Sequence, residues 1–102
     1  MDKKFQIDMK VFKINIYTIE GCEACTIMKK IVTDAAEDYV YVSTYLINVP
    51  TNDNTIAKEN NIKDYPTTRM VDDNNNILWE LVGTYPKDYV QQCIDKSIDA
   101  LR

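Results

Sequence analysis

The fold of this chain is decided by residues 12–25, which read FKINIYTIEGCEAC. Apolar side chains at positions 12, 14 and 16 alternate with the residues between them, which is the period of a β-strand. The run ends in the loop Ile19-Glu20-Gly21, and two cysteines, Cys22 and Cys25, follow at once. The stretch therefore predicts a core strand that passes through a short loop into a segment headed by the cysteine pair.

A helix is predicted to begin at the cysteines and to run from Glu23 to about Asp38. Its apolar side chains recur at the i, i+3, i+4, i+7 spacing of a helix that packs on one side. The residues on this predicted face are Ala24, Ile27, Met28, Ile31, Val32 and Ala35.

Downstream, the pattern predicts a second strand, a short helix, a hairpin and a last helix. Residues 40–48 are β-branched and aromatic, which indicates a strand. A helical stretch follows over 54–60, and strands over 67–71 and 77–82 flank an Asn-rich turn. The last helix is predicted over 86–101, with proline in its first turn. Its expected buried face is Val90, Ile94, Ser97, Ile98 and Leu101.

The predicted order is β-α-β-α-β-β-α, an α/β fold with a four-stranded mixed sheet flanked by helices. The chain has 102 residues and fits one domain, since domains usually hold roughly 100–150 residues. We assign this domain to residues 12–102 and an N-terminal extension to residues 1–11. The extension is expected to add a short strand or a bulge, because apolar residues alternate there in the opposite parity at Phe5, Ile7, Met9 and Val11.

Composition narrows the classes of partner. The net charge of −4, from 12 basic and 16 acidic residues, argues against nucleic-acid binding, which depends on clustered Lys and Arg. No signal peptide is read at the N-terminus, and no run approaches the roughly 18 apolar residues of a membrane span. Three cysteines are too few for a disulfide-stapled secreted scaffold, so we expect a cytoplasmic monomer without a membrane partner.

The chain contains no histidine. A Cys–His dyad, a Ser–His–Asp triad and a His-ligated metal are therefore excluded. Zinc in a structural site takes four ligands, and beyond Cys22 and Cys25 the only further cysteine is Cys93, so no metal is expected. Cys93 lies in the last helix on or near its apolar face, where a free cysteine behaves as a small hydrophobe.

The Cys22–Cys25 spacing suits thiol chemistry. Unpaired N–H groups and the positive dipole at a helix start favour a thiolate, and in such settings cysteine pKa values fall from about 8.5 to roughly 3.5–7.5. Cys25 lies about one helical turn further on, within disulfide reach. Cys22 is thus the candidate nucleophile and Cys25 the candidate resolving cysteine. Half of a metal site, or two ordinary helix cysteines, are the alternatives.

Three motifs together resemble the thioredoxins and glutaredoxins. The stretch 17–25 resembles their active-site turn, Tyr65-Pro66-Thr67 their cis-proline segment, and Val82-Gly83 the glycine after their last strand. The resemblance covers about residues 12–101 and implies the thioredoxin fold. It also implies that Pro66 is cis beside the cysteines and that Tyr65, Pro66, Thr67 and Gly83 bind substrate. From the residues alone an ordinary trans proline and a plain strand-end glycine remain open, since only about 5–6% of X–Pro bonds are cis.

The sequence departs from the thioredoxin pattern at several positions. Gly21 replaces the tryptophan usual before the first cysteine, Ile16 replaces the buried acid, and no lysine stands near Leu46. Proton transfer from the resolving cysteine is therefore left to water, to Glu23 or to no group at all. The glutathione-binding segment of glutaredoxins is matched poorly by residues 83–88, so dependence on glutathione is the second choice.

The expected function is reduction of protein disulfides by dithiol exchange, with no cofactor beyond the Cys22–Cys25 disulfide. Partners are protein disulfides and either a recycling reductase or glutathione. The alternatives are a glutathione-dependent glutaredoxin-like enzyme and a non-catalytic peptide-binding module. Glu23, with Glu20 nearby, disfavours the thiolate by like-charge repulsion, and the nearest cations, Lys29 and Lys30, are placed about two helical turns away. We therefore expect a reductant with a potential on the order of −200 to −270 mV.

Overall fold

A computed structural model describes residues 11–100. Its strands are β1 (Phe12–Ile19), β2 (Val42–Val49), β3 (Thr67–Val71) and β4 (Ile77–Val82). Its helices are α1 (Glu23–Ala36), α2 (Thr55–Glu59) and α3 (Lys87–Ala100). The predicted element order is confirmed. The extra strand predicted within residues 1–11 and the expected burial of Leu101 lie outside the described residues, apart from Val11, which precedes β1.

The four strands form one mixed sheet in the order β2-β1-β3-β4. β1 pairs with β2 in parallel, and β3 runs antiparallel to both β1 and β4. The parallel pair follows from the α1 crossover, and the antiparallel pair from the short Asn-rich turn. The predicted four-stranded mixed sheet is confirmed.

Side chains of β1 point alternately to the two faces of the sheet. Phe12, Ile14 and Ile16 point to the main core, where residues of α1 and α3 pack on them. Tyr17 points to the other face, where a smaller cluster forms with Val49 and Ile62 beside α2. The alternation read from the sequence is thus the alternation of two buried faces.

Several predicted boundaries shift by a few residues. The second strand covers 42–49 rather than 40–48, and Val40 is 89% exposed in the turn that follows α1. Ile27, predicted on the packed face of the first helix, is 49% exposed because it lies at the margin of that face, outside the main core. Val90 and Ile94 are buried as predicted, and Ser97 and Ile98 are half-buried.

Tyr39 ties the end of α1 to α3. Its hydroxyl donates to Asp95 Oδ1 at 2.7 Å, and the carbonyl of Gln91 lies 3.3 Å away. Gln91 Nε2 in turn donates to Asp38 Oδ2 at 2.9 Å. Burial, followed by the hydrogen bond to Asp95, raises the pKa of Tyr39 from 10.0 to about 12. The protonated hydroxyl is therefore the form that the folded protein favours.

We predict that Tyr39→Phe lowers the free energy of unfolding by about 1 kcal/mol near pH 8, because a largely solvated hydrogen bond is lost. The folded-state pKa lies above the unfolded one, so this stabilisation is present below pH 10 and is lost as the pH rises through 12. Urea unfolding of both proteins across this range should show the difference closing. Tyr41→Phe is the control, since no hydrogen bond of its hydroxyl is found among residues 11–100. A difference that does not change with pH would contradict the assignment.

Candidate active site

Cys22 caps the helix that its sequence begins. It has extended backbone geometry, with φ −99° and ψ 105°, and its Sγ accepts a hydrogen bond from the backbone N–H of Cys25 at 3.0 Å. A disulfide joins Cys22 to Cys25, with the Cα atoms 5.2 Å apart. The sulfur of Cys22 therefore occupies the position where a helix start stabilises negative charge.

The two cysteines differ in exposure. Cys22 is half-buried, whereas Cys25 is only 4% exposed and faces the protein interior. A thiol or disulfide that arrives from solvent can reach the sulfur of Cys22 more readily than that of Cys25. The geometry favours the sequence-based roles of nucleophile for Cys22 and resolving cysteine for Cys25.

The three sequence motifs meet at one end of the sheet. β1 ends there, three residues before Cys22, and β3 begins there because Thr67 pairs with Tyr17. β4 ends there too, since Thr67 also pairs with Val82. The backbone N–H of Gly83 donates to the carbonyl of Pro66 at 2.9 Å. Sheet topology thus brings the cysteine turn to two segments that follow it by forty residues or more in the sequence.

The Tyr65-Pro66-Thr67 segment has one half-buried member, Tyr65, and two buried ones. The Tyr65–Pro66 peptide bond is cis. Thr67 is 2% exposed, and its hydroxyl donates to the carbonyl of Asp64 at 2.7 Å, so this side chain braces the segment. Tyr65 is half-buried and lies outside the paired registers of β3, which begin at Thr67. Contact with a substrate at this segment is therefore open mainly to Tyr65.

Gly21 and Gly83 both have left-handed backbones, with φ of +78° and +97°. A Cβ added at either position would meet no atom within 4 Å. Glycine is favoured at both because of its conformation, and close packing does not require it. Gly83 directly follows the end of β4, as a strand-end glycine does, and it is also part of the surface beside Pro66.

A cleft of about 510 Å³ opens beside the disulfide, between α1 and β2. Both cysteines line it, together with the exposed carboxylates of Glu20 and Glu23 and the exposed side chain of Lys29. Lys29 lies seven residues after Cys22, about two helical turns away as predicted, and one turn after Cys25, and its side chain lines the same cleft. The cleft therefore carries charges of both signs.

Two side chains on or near α1, Ile27 and Tyr89, were not assigned to the site by the sequence-based prediction. Ile27 lies exposed two residues after Cys25, and the ring of Tyr89 stacks on that of Tyr85 with centroids 5.3 Å apart. The backbone N–H of Tyr85 donates to Met28 Sδ at 3.5 Å, which holds this ring pair against α1. The four-residue spacing of the two tyrosines could have predicted this ring pair, because side chains four residues apart are neighbours on a helical turn.

Cys93 lies away from this end of the sheet. It is a free, half-buried thiol whose pKa is raised by burial. It lines an apolar groove between β4 and α3 with Leu78 and Trp79. These surroundings suit a small hydrophobic residue rather than a reactive one.

Within residues 11–100, no group of three or more potential metal ligands is found. In the same part of the chain, no helix is both long enough and apolar enough to cross a bilayer.

Solved thioredoxin structures share this architecture. The thioredoxin of Trypanosoma brucei brucei aligns with a TM-score of 0.73 and 15% identity, over 97% of this chain and 87% of that chain. Chloroplastic thioredoxin z aligns with a TM-score of 0.75 and 13% identity, over 95% and 89%. A thioredoxin-2, described as a component of malaria parasite protein secretion machinery, aligns with a TM-score of 0.69 and 19% identity, over 85% and 84%.

No family model matches the sequence. No curated protein matches it either. The structural likeness shows the fold: the chain has the thioredoxin fold, as its motifs predict. Within this fold, the Cys22–Cys25 disulfide lies at the start of α1.

We predict that Lys29→Met shifts the alkylation profile of the reduced cysteine pair to higher pH, because it removes a cation that shares the cleft with the sulfurs. The measurement is the rate of iodoacetamide modification as a function of pH. Lys30→Met is the matched control, because Lys30 points away and pairs with Asp34 at 3.3 Å. Equal profiles for Lys29→Met and Lys30→Met would contradict an electrostatic role for Lys29.

Proposed function

We propose that this protein is a thiol–disulfide oxidoreductase that reduces protein disulfides through Cys22 and Cys25. The observation that carries the proposal is a disulfide with one accessible and one buried sulfur at the N-terminus of a helix. A helix start favours a thiolate on the accessible cysteine, and the buried cysteine can react only with its neighbour.

In the proposed cycle, the Cys22 thiolate attacks one sulfur of a substrate disulfide. A mixed disulfide forms and the other substrate sulfur leaves as a thiolate that takes up a proton from solvent. Cys25 then loses its proton and attacks Cys22, which releases the second substrate thiol and leaves the Cys22–Cys25 disulfide. Two electrons from a recycling reductase or from glutathione restore the dithiol.

The surface around Cys22 supports a proposal for the substrate class. Tyr65, Gly83 and the exposed side chains of Ile27 and Val82 lie at the same end of the sheet, which offers an apolar rim to an extended segment of a protein. We propose that protein disulfides are the substrates and that the protein acts as a cytoplasmic monomer. Residues of the rim position the substrate, while Gly21 and Glu23 set the conformation and charge beside the reacting sulfur.

We predict that Cys22→Ser abolishes insulin reduction driven by dithiothreitol, because it removes the nucleophile. Cys25→Ser is expected to stop turnover and to accumulate a covalent mixed disulfide detectable by mass spectrometry. Cys93→Ser is the matched control and should retain the wild-type rate, since Cys93 lies in a separate groove. Faster alkylation of Cys25 than of Cys22 at neutral pH would reverse the two roles.

The same variants separate the alternatives. Turnover by Cys25→Ser with glutathione would indicate a glutaredoxin-like enzyme that needs only Cys22. A wild-type protein that binds peptides but reduces no disulfide would be a binding module.

We also predict a reduction potential on the order of −200 to −270 mV, because two carboxylates flank the Cys22 thiolate. Glu23→His should raise the potential by removing like-charge repulsion. Glu37→His, at the far end of α1, is the control and should leave the potential unchanged. Equilibration against glutathione buffers measures all three proteins, and a wild-type potential above about −150 mV would exclude a reductase.

A further inference from the structure

Thr68 carries a buried hydroxyl for which no hydrogen-bond partner is found among the protein groups of residues 11–100. Its side chain is 0% exposed, and its Oγ1 is one of two such buried atoms in this part of the chain. The other is Trp79 Nε1. A buried donor without a partner destabilises the fold, and such groups in native proteins call for an explanation.

The strand registers place Thr68 in a row that crosses the whole sheet. Ile16 pairs with Leu46 on one side and with Thr68 on the other, and Thr68 pairs with Leu81. The row therefore reads Leu46, Ile16, Thr68, Leu81. Thr68 supplies its one hydroxyl, and the other three side chains are aliphatic.

This row lies on the face of the sheet that α1 covers. Thr68 is two residues from Met70, so both side chains point to the same face, and Met70 shares the main core with Met28 of α1. Cys25 is one turn before Met28, toward the sheet end that Thr68 approaches. The first turn of α1 thus places the buried cysteine on the same face of the sheet as Thr68 and toward the same end.

We propose that the Thr68 hydroxyl is the hydrogen-bond donor that stabilises the thiolate of Cys25 when this cysteine attacks the mixed disulfide. The inference rests on the proposed dithiol exchange and makes Thr68 a positioning residue. A disulfide sulfur is a weak acceptor, whereas a thiolate forms a charge-assisted hydrogen bond. The hydroxyl has no partner in the disulfide form described here, in which the Cys25 sulfur is bonded to Cys22, and would gain one once that bond is broken and Cys25 ionises.

The surrounding groups leave this task to Thr68. Ile16 brings no acid into the row, and the charged groups of the cleft, Glu20, Glu23 and Lys29, are exposed on the β2 side. On the side of β4 and α3, the titratable side chains packed against the core are Tyr39, Tyr85 and Cys93.

In the resolving step, the proton of Cys25 passes to water in the cleft, the Cys25–Cys22 bond forms, and the released substrate thiolate is reprotonated by solvent.

The test uses reduced full-length protein and Ellman's reagent, a disulfide that releases a coloured thiol in each of two steps. The first release reports the attack by Cys22, and the second reports resolution by Cys25. We expect Thr68→Val to leave the first phase unchanged, to slow the second about tenfold at neutral pH, and to shift its pH profile upward. Thr68→Ser, which keeps the hydroxyl, should restore the second phase to within about twofold of wild type.

Thermal unfolding separates this function from a purely structural one. Thr68→Val should unfold at a higher temperature than wild type, because it removes the unpaired donor. A Thr68→Val protein whose second phase matches wild type would overturn the inference, as would equal slowing by Thr68→Ser and Thr68→Val, which would assign the effect to packing. Failure of the wild-type protein to show a first phase would instead overturn the proposed function.

Discussion

The structure depends on the placement of β1 at the centre of the sheet. This strand pairs along its full length with β2 on one side and through residues 13–17 with β3 on the other. Its side chains belong to two buried clusters on opposite faces of the sheet. Because both neighbours and both faces constrain it, the end of β1 is fixed in space, and the loop that follows sets where α1 and the cysteines begin.

Two kinds of charge act on the Cys22 sulfur: the helix start, whose position the fold fixes, and exposed charged side chains, whose effect solvent and salt weaken. The helix start is fixed by the fold and favours negative charge on Cys22. Glu20, Glu23 and Lys29 are exposed, so their influence is weakened by solvent and salt. The row of the sheet that contains Thr68 is otherwise apolar, since Ile16 and Leu81 flank it. A neutral hydroxyl is compatible with such a row, whereas a buried carboxylate would need a partner.

Sequence periodicity was sufficient for most elements and insufficient at their margins. The strands 67–71 and 77–82 were predicted with their observed bounds. Both contain β-branched residues, and the Asn-rich turn between them marks the end of the first and the start of the second. Val40 has the same β-branched character, yet it lies in an exposed turn, since pairing with β1 starts only at Val42. Ile27 has the spacing of a core residue, but which part of a helix face is covered depends on the neighbours that pack there.

The sequence by itself determined the fold class, the cysteine pair at a helix start and the absence of histidine chemistry, because these depend on local periodicity, spacing and composition. Only the tertiary structure decided which residues accompany the cysteines. Lys29 shares their cleft, Cys93 lies in a different groove, and Thr68 joins Ile16 on the face of the sheet that α1 covers. Strand register joins residues far apart in the chain, and no local pattern specifies the register across β1 and β3.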